Sequence, residues 1–359
     1  MRHGKLGITE YIKDKATPGY TLFWPLGSTT AHIINMKGDV VKEWEMPGQP
    51  GNYMYILPTG NLLASIRTDE CSLGLAAKGG RLIEMDWDGN IVWEYIDHYQ
   101  HHDFRRLPNG NTIYIGWELM PKDAEARVQG GAEGSEHEDG IYSDFLKEIT
   151  PEGEVVWEWH AITDQDIEKY PLCSLCGRRE FAHANTVAPT ADGDIMISWR
   201  NNSLIALIDK KTKKFKWEMY DAKLGHQHDV HMLDNGNVLV FANGCHAPWH
   251  GPFEGSRVWE IDIKTDEIVW EYVGSPPYTF DSTFISGMQR LASGNTLICE
   301  GRWGRLFEVT PEKEIVWEYV SPYFQKDHPP YTDGNYIFRA YRYAADSPEI
   351  GGRLDPDPS

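Results

Sequence analysis

Apolar positions along the chain recur in short runs that alternate with polar ones, the period-two pattern of β-strands packed on one face. In Ile91-Val92-Trp93-Glu94-Tyr95, residues Ile91, Trp93 and Tyr95 share a face and Glu94 takes the other. The run belongs to a phrase that returns: a turn pair, two or three β-formers, then Trp-Glu-aromatic. It stands at 89–95, 153–159, 266–272 and 313–319, with weaker copies at 38–46 and 213–219. Its tryptophans, Trp44, Trp93, Trp157, Trp217, Trp270 and Trp317, lie 47 to 64 residues apart. A period near 50 marks a repeat architecture.

A second phrase alternates with the first. It is a strand, a tight glycine turn and a second strand, as in Leu57-Pro-Thr-Gly-Asn-Leu-Leu-Ala and Leu107-Pro-Asn-Gly-Asn-Thr-Ile-Tyr. Further copies begin at Pro189, Leu233, Leu291 and Tyr331. Each predicts a hairpin. With a third strand such as 81–85 or 305–309 and then the Trp-Glu strand, each repeat holds four antiparallel strands, which is one propeller blade. The expected fold is therefore all-β, a six-bladed β-propeller of four-stranded antiparallel blades with long rim loops. Residues 1–18 read as an N-terminal arm, 19–350 as a single propeller and 351–359 as a C-terminal tail, with the N-terminal strands closing the last blade. The repeat tryptophans are expected in the core between adjacent sheets. Three insertions break the rhythm, at 119–145, 160–182 and 244–256, and such insertions carry function or decorate the surface.

Composition narrows the partners. The net charge of −20 argues against nucleic acid, which needs a basic surface, and against an anionic membrane. No run approaches 18 apolar residues and no signal-peptide core is visible at the start, so the expected location is cytoplasmic. The five cysteines are scattered, unlike a disulfide framework. Cys173 and Cys176 form a lone Cys-Xaa-Xaa-Cys, read as two thiols in a loop, with a disulfide or metal clip as the alternative.

Aligning the blades on the hairpin phrase brings out the chemistry. His102, His228, Asn52 and Ser286 each stand five residues before the phrase, His183 stands six before Pro189, and His328 lies near the comparable place. If this strand is innermost, the side chains converge at one end of the channel. A single buried histidine is usually structural. Three at one repeat position each need their own compensation. Asp103, Asp229 and Asn185 follow His102, His228 and His183 closely and could fix the imidazole tautomers. His101, His226 and His231 crowd the set, and Arg200 adds a guanidinium for an anion.

Two chemistries fit. In one, an imidazole takes a group from an anionic ester while Arg200 and other histidines stabilise the oxyanion. In the other, His102, His183 and His228 hold a transition metal for a hydrolase or lyase. A propeller that only binds a ligand is the third reading. The expected partner is a small aromatic or anionic substrate, with no cofactor, a transition metal being the alternative.

Pro18-Gly-Tyr-Thr-Leu-Phe, His101-His-Asp-Phe-Arg-Arg-Leu-Pro-Asn-Gly-Asn, His183-Ala-Asn, Gln227-His-Asp and Phe338-Arg-Ala-Tyr-Arg-Tyr resemble the bacterial PAPS-independent arylsulfate sulfotransferases. The resemblance spans most of 18–350. It implies a six-bladed propeller and ping-pong transfer of a sulfuryl group from an aryl sulfate to a phenol. His228 would then be the nucleophile, Arg200 and His183 the sulfuryl ligands, and His102 the acid/base or orienter. His101, Asn185, Asn52, Ser286, His231 and His328 remain as candidate substrate contacts.

Overall fold

The computed structural model describes residues 4–70, 73–248, 254–326 and 333–359. Its strands form six antiparallel sheets of four strands, one carrying a fifth, and the fold is a six-bladed β-propeller. Two compact units hold the blades. One comprises residues 1–67, 81–96 and 284–359, the other 68–80 and 97–283. Among the described residues no helix is long and apolar enough to cross a membrane.

The glycine phrase folds as read. Leu57 N–H donates to the Asn61 carbonyl at 2.8 Å and Gly60 N–H to Leu57 at 2.7 Å. The same pair of bonds recurs at Leu107, Thr190, Leu233 and Leu291. Gly60 and Gly110 sit at φ of 85° and 88°, a region that side chains resist and glycine enters freely. The sixth copy departs. Its first residues, 331–332, lie outside the described ones, Gly334 bridges Gln325, and only one strand of the blade follows, Ile337–Tyr343.

That strand explains the closure. Ile337–Tyr343 pairs with Tyr20–Pro25 and completes the blade of Thr30–Ile34 and Val40–Glu45. The C-terminus thus supplies the first strand of the N-terminal blade. The N-terminal strands thus close the last blade, as expected, and Gly7–Tyr11 of the arm adds a fifth strand outside Ile315–Val320. The tail also packs on this unit, since the Met36 amide donates to the Pro358 carbonyl at 2.8 Å.

The repeat tryptophans lie on the last strand of each blade, and core filling describes only two of them. Trp44 and Trp317 are buried, whereas Trp93, Trp157, Trp217 and Trp270 are half-buried. An outermost strand has one neighbour, so its side chains are only partly covered. Their other role is to hook blades together. The indole N–H of Trp44 donates to the Trp87 carbonyl, Trp157 to Lys210, Trp217 to the Asp266 carboxylate and Trp317 to the Met36 carbonyl. Each acceptor lies in the next blade, so an aromatic anchors with both its body and its donor.

The second unit carries the site. Its blades begin with Gln100–Arg106, Ala184–Pro189 and His228–Met232. These three first strands lie side by side. Asp103 joins the first two, accepting from the Phe104 amide at 2.7 Å and, across the gap, from the Val187 amide at 2.9 Å. Asn185 joins the second to the third by donating to the Gln227 carbonyl at 2.7 Å.

Candidate active site

The backbone tests the blade alignment. At the repeat position φ is 131° at Asn52, 51° at His102, 59° at His183 and 89° at Ser286. Left-handed non-glycine residues cost roughly 1–3 kcal/mol and persist where the surroundings over-determine them, often beside bulges and functional sites. His102 and His183 are therefore one position seen twice. The fifth blade slips by one residue, for the left-handed residue there is Asp229 (φ 54°) and His228 precedes it.

Three imidazoles of the second unit are fixed by polar neighbours, two of them close in sequence and one brought in by the fold. His183 Nδ1 is 2.8 Å from Glu180 Oε2, and Trp117 Nε1–H donates to Glu180 Oε1 at 2.8 Å. Burial alone would raise the Glu180 carboxyl, but His183, His101 and the indole hold it below its usual range. It is an ionised carboxylate in the interior, compensated by two donors and a neighbouring imidazole. His228 Nδ1 lies 2.8 Å from Asn243 Oδ1, and Asn243 Nδ2 donates to the Ser282 carbonyl at 2.6 Å. A carbonyl can only accept, so the amide nitrogen faces Ser282 and the oxygen faces the ring. His228 therefore carries its proton on Nδ1, and Nε2 holds the lone pair.

His102 is bonded to a second buried imidazole. His102 Nδ1 lies 2.6 Å from His101 Nδ1, and His101 Nε2 lies 3.3 Å from Asp144 Oδ1. His101 stacks on Trp117 at a ring separation of 4.2 Å and is fully buried. Burial drives its imidazole down to about 3. Burial, with Glu180 nearby, keeps the Asp144 carboxyl well above its ordinary range, although the Ala184 amide pulls the other way. One proton lies between His101 Nδ1 and His102 Nδ1. Neither His101 Nε2 nor Asp144 Oδ1 has a hydrogen-bond partner among the described residues, so their contact is an approach of two buried polar atoms and not a path for a proton.

The buried neutral His101 also makes the fold acid-sensitive. An unfolded imidazole takes up a proton near pH 6.5, and the folded one refuses it until about 3. The stability it contributes is complete above pH 6.5 and is lost as pH falls toward 3, at about 1.4 kcal/mol per unit. Urea titrations between pH 7 and 4 should show that slope, and His101→Gln should reduce it. An unchanged slope would mean that His101 protonates freely in the fold.

A cavity of about 450 Å³ opens beside His183, with Glu180, Arg179, Arg200, Cys176 and Glu136 in its wall. The insertion at 119–145 builds part of that wall. Gly130–Ala132 pairs in parallel with Leu172–Gly177, Arg178 holds Glu136 at 2.7 Å, and Met120, Ala124 and Val128 join the core of Trp159 and Trp199. Arg200 donates to Asn201 Oδ1 at 3.1 Å, and its backbone amide donates to the His183 carbonyl at 3.1 Å. Two guanidiniums and an imidazole on one wall suit a small oxyanion.

The sequence candidates fare unequally. His102 and His183 meet edge to face at 4.5 Å. Burial, helped by Arg200, His246, His228 and His183 within electrostatic reach, pushes the His226 imidazole down to about 2. Those residues therefore gather in one region. Glu180 and Asn243 meet the ring nitrogens of His183 and His228, while Asp103 and Asn185, expected to fix the imidazole tautomers, link neighbouring blades. His231 Nδ1 reaches the Asp229 carbonyl at 3.3 Å, and the ring is half-buried on its strand. Asn52 and Ser286 belong to the first unit, where Ser286 Oγ accepts from the Gly301 amide at 2.9 Å. His328 lies outside the described residues. His102, His183 and His228 do not converge as metal ligands. Among the described residues the converging set is Cys173, Cys176, His226 and His246.

Fold and site together define a six-bladed propeller with a pocket lined by His183, Arg179 and Arg200 beside Glu136 and Glu180. Residues 79–322 match the arylsulfotransferase (ASST) family, and the chain belongs to it. Membership places the protein with sulfotransferases and points to sulfuryl transfer at the level of the family. No curated protein matches the sequence. Among solved structures the chain is similar to a protein of unknown function from Bacteroides caccae, at 15% identity and a TM-score of 0.56, covering 90% of this chain and 98% of that one. It is also similar to a catalytically inactive virginiamycin B lyase from Staphylococcus aureus with quinupristin, at 12% identity and a TM-score of 0.48, covering 89% of each chain. The first likeness supports the fold alone.

Proposed function

We propose that the protein is a PAPS-independent arylsulfate sulfotransferase that works by ping-pong through a sulfohistidine at His228. The observation that carries the reading is the fixed tautomer of His228, whose Nδ1 is tied to Asn243 and through it to Ser282. The Nε2 lone pair attacks the sulfur of an aryl sulfate. The nitrogen–sulfur bond forms as the sulfur–aryl oxygen bond breaks. The departing phenolate takes the Nε2 proton of a protonated His102, whose Nδ1–H stays on His101 Nδ1, and leaves a neutral ring as the base for the second half. Nδ1–H of the sulfated ring becomes more acidic and leans harder on Asn243 Oδ1. Arg200 and His183 hold the sulfuryl oxygens as charge moves across them. In the second half the acceptor phenol gives its proton to His102, its oxygen attacks sulfur, and the nitrogen–sulfur pair returns to Nε2.

The test is direct. Protein incubated with p-nitrophenyl sulfate should release p-nitrophenol faster when a second phenol is added, and should gain the mass of one sulfuryl group on the peptide bearing His228. No release and no mass gain would end this reading. A mass gain on the peptide of His183 would move the nucleophile to the Glu180-held ring.

A further inference from the structure

Four side chains that the transfer mechanism does not use meet beside the pocket: Cys173, Cys176, His226 and His246. Their Sγ and ring nitrogen atoms all lie within 4.8 Å of one another. His246 Nδ1 is 3.5 Å from Cys173 Sγ and 3.7 Å from Cys176 Sγ, and His226 Nε2 is 3.5 Å from Cys176 Sγ. Zinc–sulfur and zinc–nitrogen bonds of about 2.3 and 2.0–2.1 Å put sulfur and nitrogen about 3.6 Å apart in a tetrahedron. The three separations match that edge. A thiol and an imidazole hydrogen-bonded in pairs would not require a third and a fourth ligand to converge on the same centre.

His226 adds an independent argument. It is 1% exposed, its Nδ1 has no hydrogen-bond partner among the described residues, and what meets its Nε2 is the Cys176 sulfur. A metal at Nε2 gives that nitrogen a stronger partner than a thiol does and leaves the ring proton on Nδ1. The backbone is built to hold the set. His226 and His246 both take left-handed conformations, at φ of 66° and 60°. The turns that carry them cross at two glycines, so closely that a Cβ on Gly225 would stand 2.4 Å from Gly244 Cα.

We propose that Cys173, Cys176, His226 and His246 form a Cys₂His₂ site for one divalent zinc ion. The donor set, two sulfurs and two imidazoles in a tetrahedron, selects zinc over hard cations. Both thiols release their protons to solvent on binding, and all four positions are taken by the protein, which makes the ion structural. It ties the strand Leu172–Gly177 to the turns before His228 and after Asn243. The ion therefore braces the His228 ring and the Asn243 amide that orients it. Its existence does not depend on whether His228 carries a sulfuryl group.

The test uses protein purified without an affinity tag. Elemental analysis should find one zinc per chain. After chelation, titration with Co²⁺ should give the visible bands of a tetrahedral, thiolate-ligated ion at one equivalent, with two protons released. Cys173→Ser and His246→Ala should each weaken retention by tenfold or more, whereas His102→Ala should keep the metal. Less than 0.1 equivalent of zinc together with no cobalt spectrum overturns the proposal. So does a Cys173–Cys176 disulfide in the purified protein, or full retention in the Cys173→Ser/Cys176→Ser double variant. Cobalt uptake by the unsubstituted protein is decisive even where a variant fails to fold.

Discussion

His228→Ala lowers p-nitrophenol release from p-nitrophenyl sulfate by about ten-thousand-fold and abolishes the sulfuryl adduct. Loss of a covalent nucleophile removes the route itself rather than one contact along it, so the effect belongs at the large end for single substitutions. Two comparisons give the number its meaning. Asn243→Ala keeps the imidazole but releases its tautomer, so kcat should fall by about ten- to a hundred-fold with little change in KM. His231→Ala, on the same strand but tied to the Asp229 carbonyl, should leave turnover near that of the unsubstituted protein. If His228→Ala retained a tenth of the activity while folded, the nucleophile would lie elsewhere. His183 would be examined next, since Glu180 gives it a fixed tautomer too.

The residues that the sequence makes legible are those repeated in register. Six glycine phrases and six Trp-Glu phrases number the blades, and five of the glycine turns form with the same two hydrogen bonds. The register also brings out His102 and His183, which share a left-handed backbone. It fails where one blade slips, as at His228 and Asp229, because a bulge moves one residue without changing the count between phrases. It fails again for residues that enter from insertions. Glu180 and Cys176 come from 160–182 and His246 from 244–256, where no repeat gives a position to compare. The signal there is chemical. Two interruptions of an otherwise regular array each bring cysteine and histidine, and only the fold shows that they are neighbours. Asp144 and Asn243 have no sequence signal of this kind. Ordinary polar residues on a strand or just past its end become site residues solely through the rings opposite them.

Arg200→Ala lowers kcat/KM for an aryl sulfate by about a hundred- to a thousand-fold, and Arg200→Lys recovers little of it. A donor aimed at developing charge in a partly enclosed pocket accounts for roughly that factor. An ammonium cannot reproduce the planar fork that a guanidinium presents to two oxygens. Arg200 is held for this task by its backbone bond to the His183 carbonyl and its side-chain bond to Asn201. Arg179 lines the same cavity from an exposed position, where solvent weakens its pull. Arg179→Ala should therefore act through binding, raising the aryl sulfate KM by up to about tenfold at unchanged kcat. In a ping-pong scheme the sulfuryl oxygens rest against Arg200 in both halves. Formation of the adduct from p-nitrophenyl sulfate and its discharge to added phenol should slow together in Arg200→Ala, while the phenol's own binding does not change. Single-turnover measurements of the two halves decide the matter. If only one half slows, Arg200 serves an aryl group rather than the sulfuryl group. Because Arg200 also neighbours the Cys176 thiol and opposes its upward shift, metal content should be measured on the same preparation. Slowing at full metal content assigns the effect to the oxyanion. Slowing that follows metal loss assigns it to the brace beneath His228.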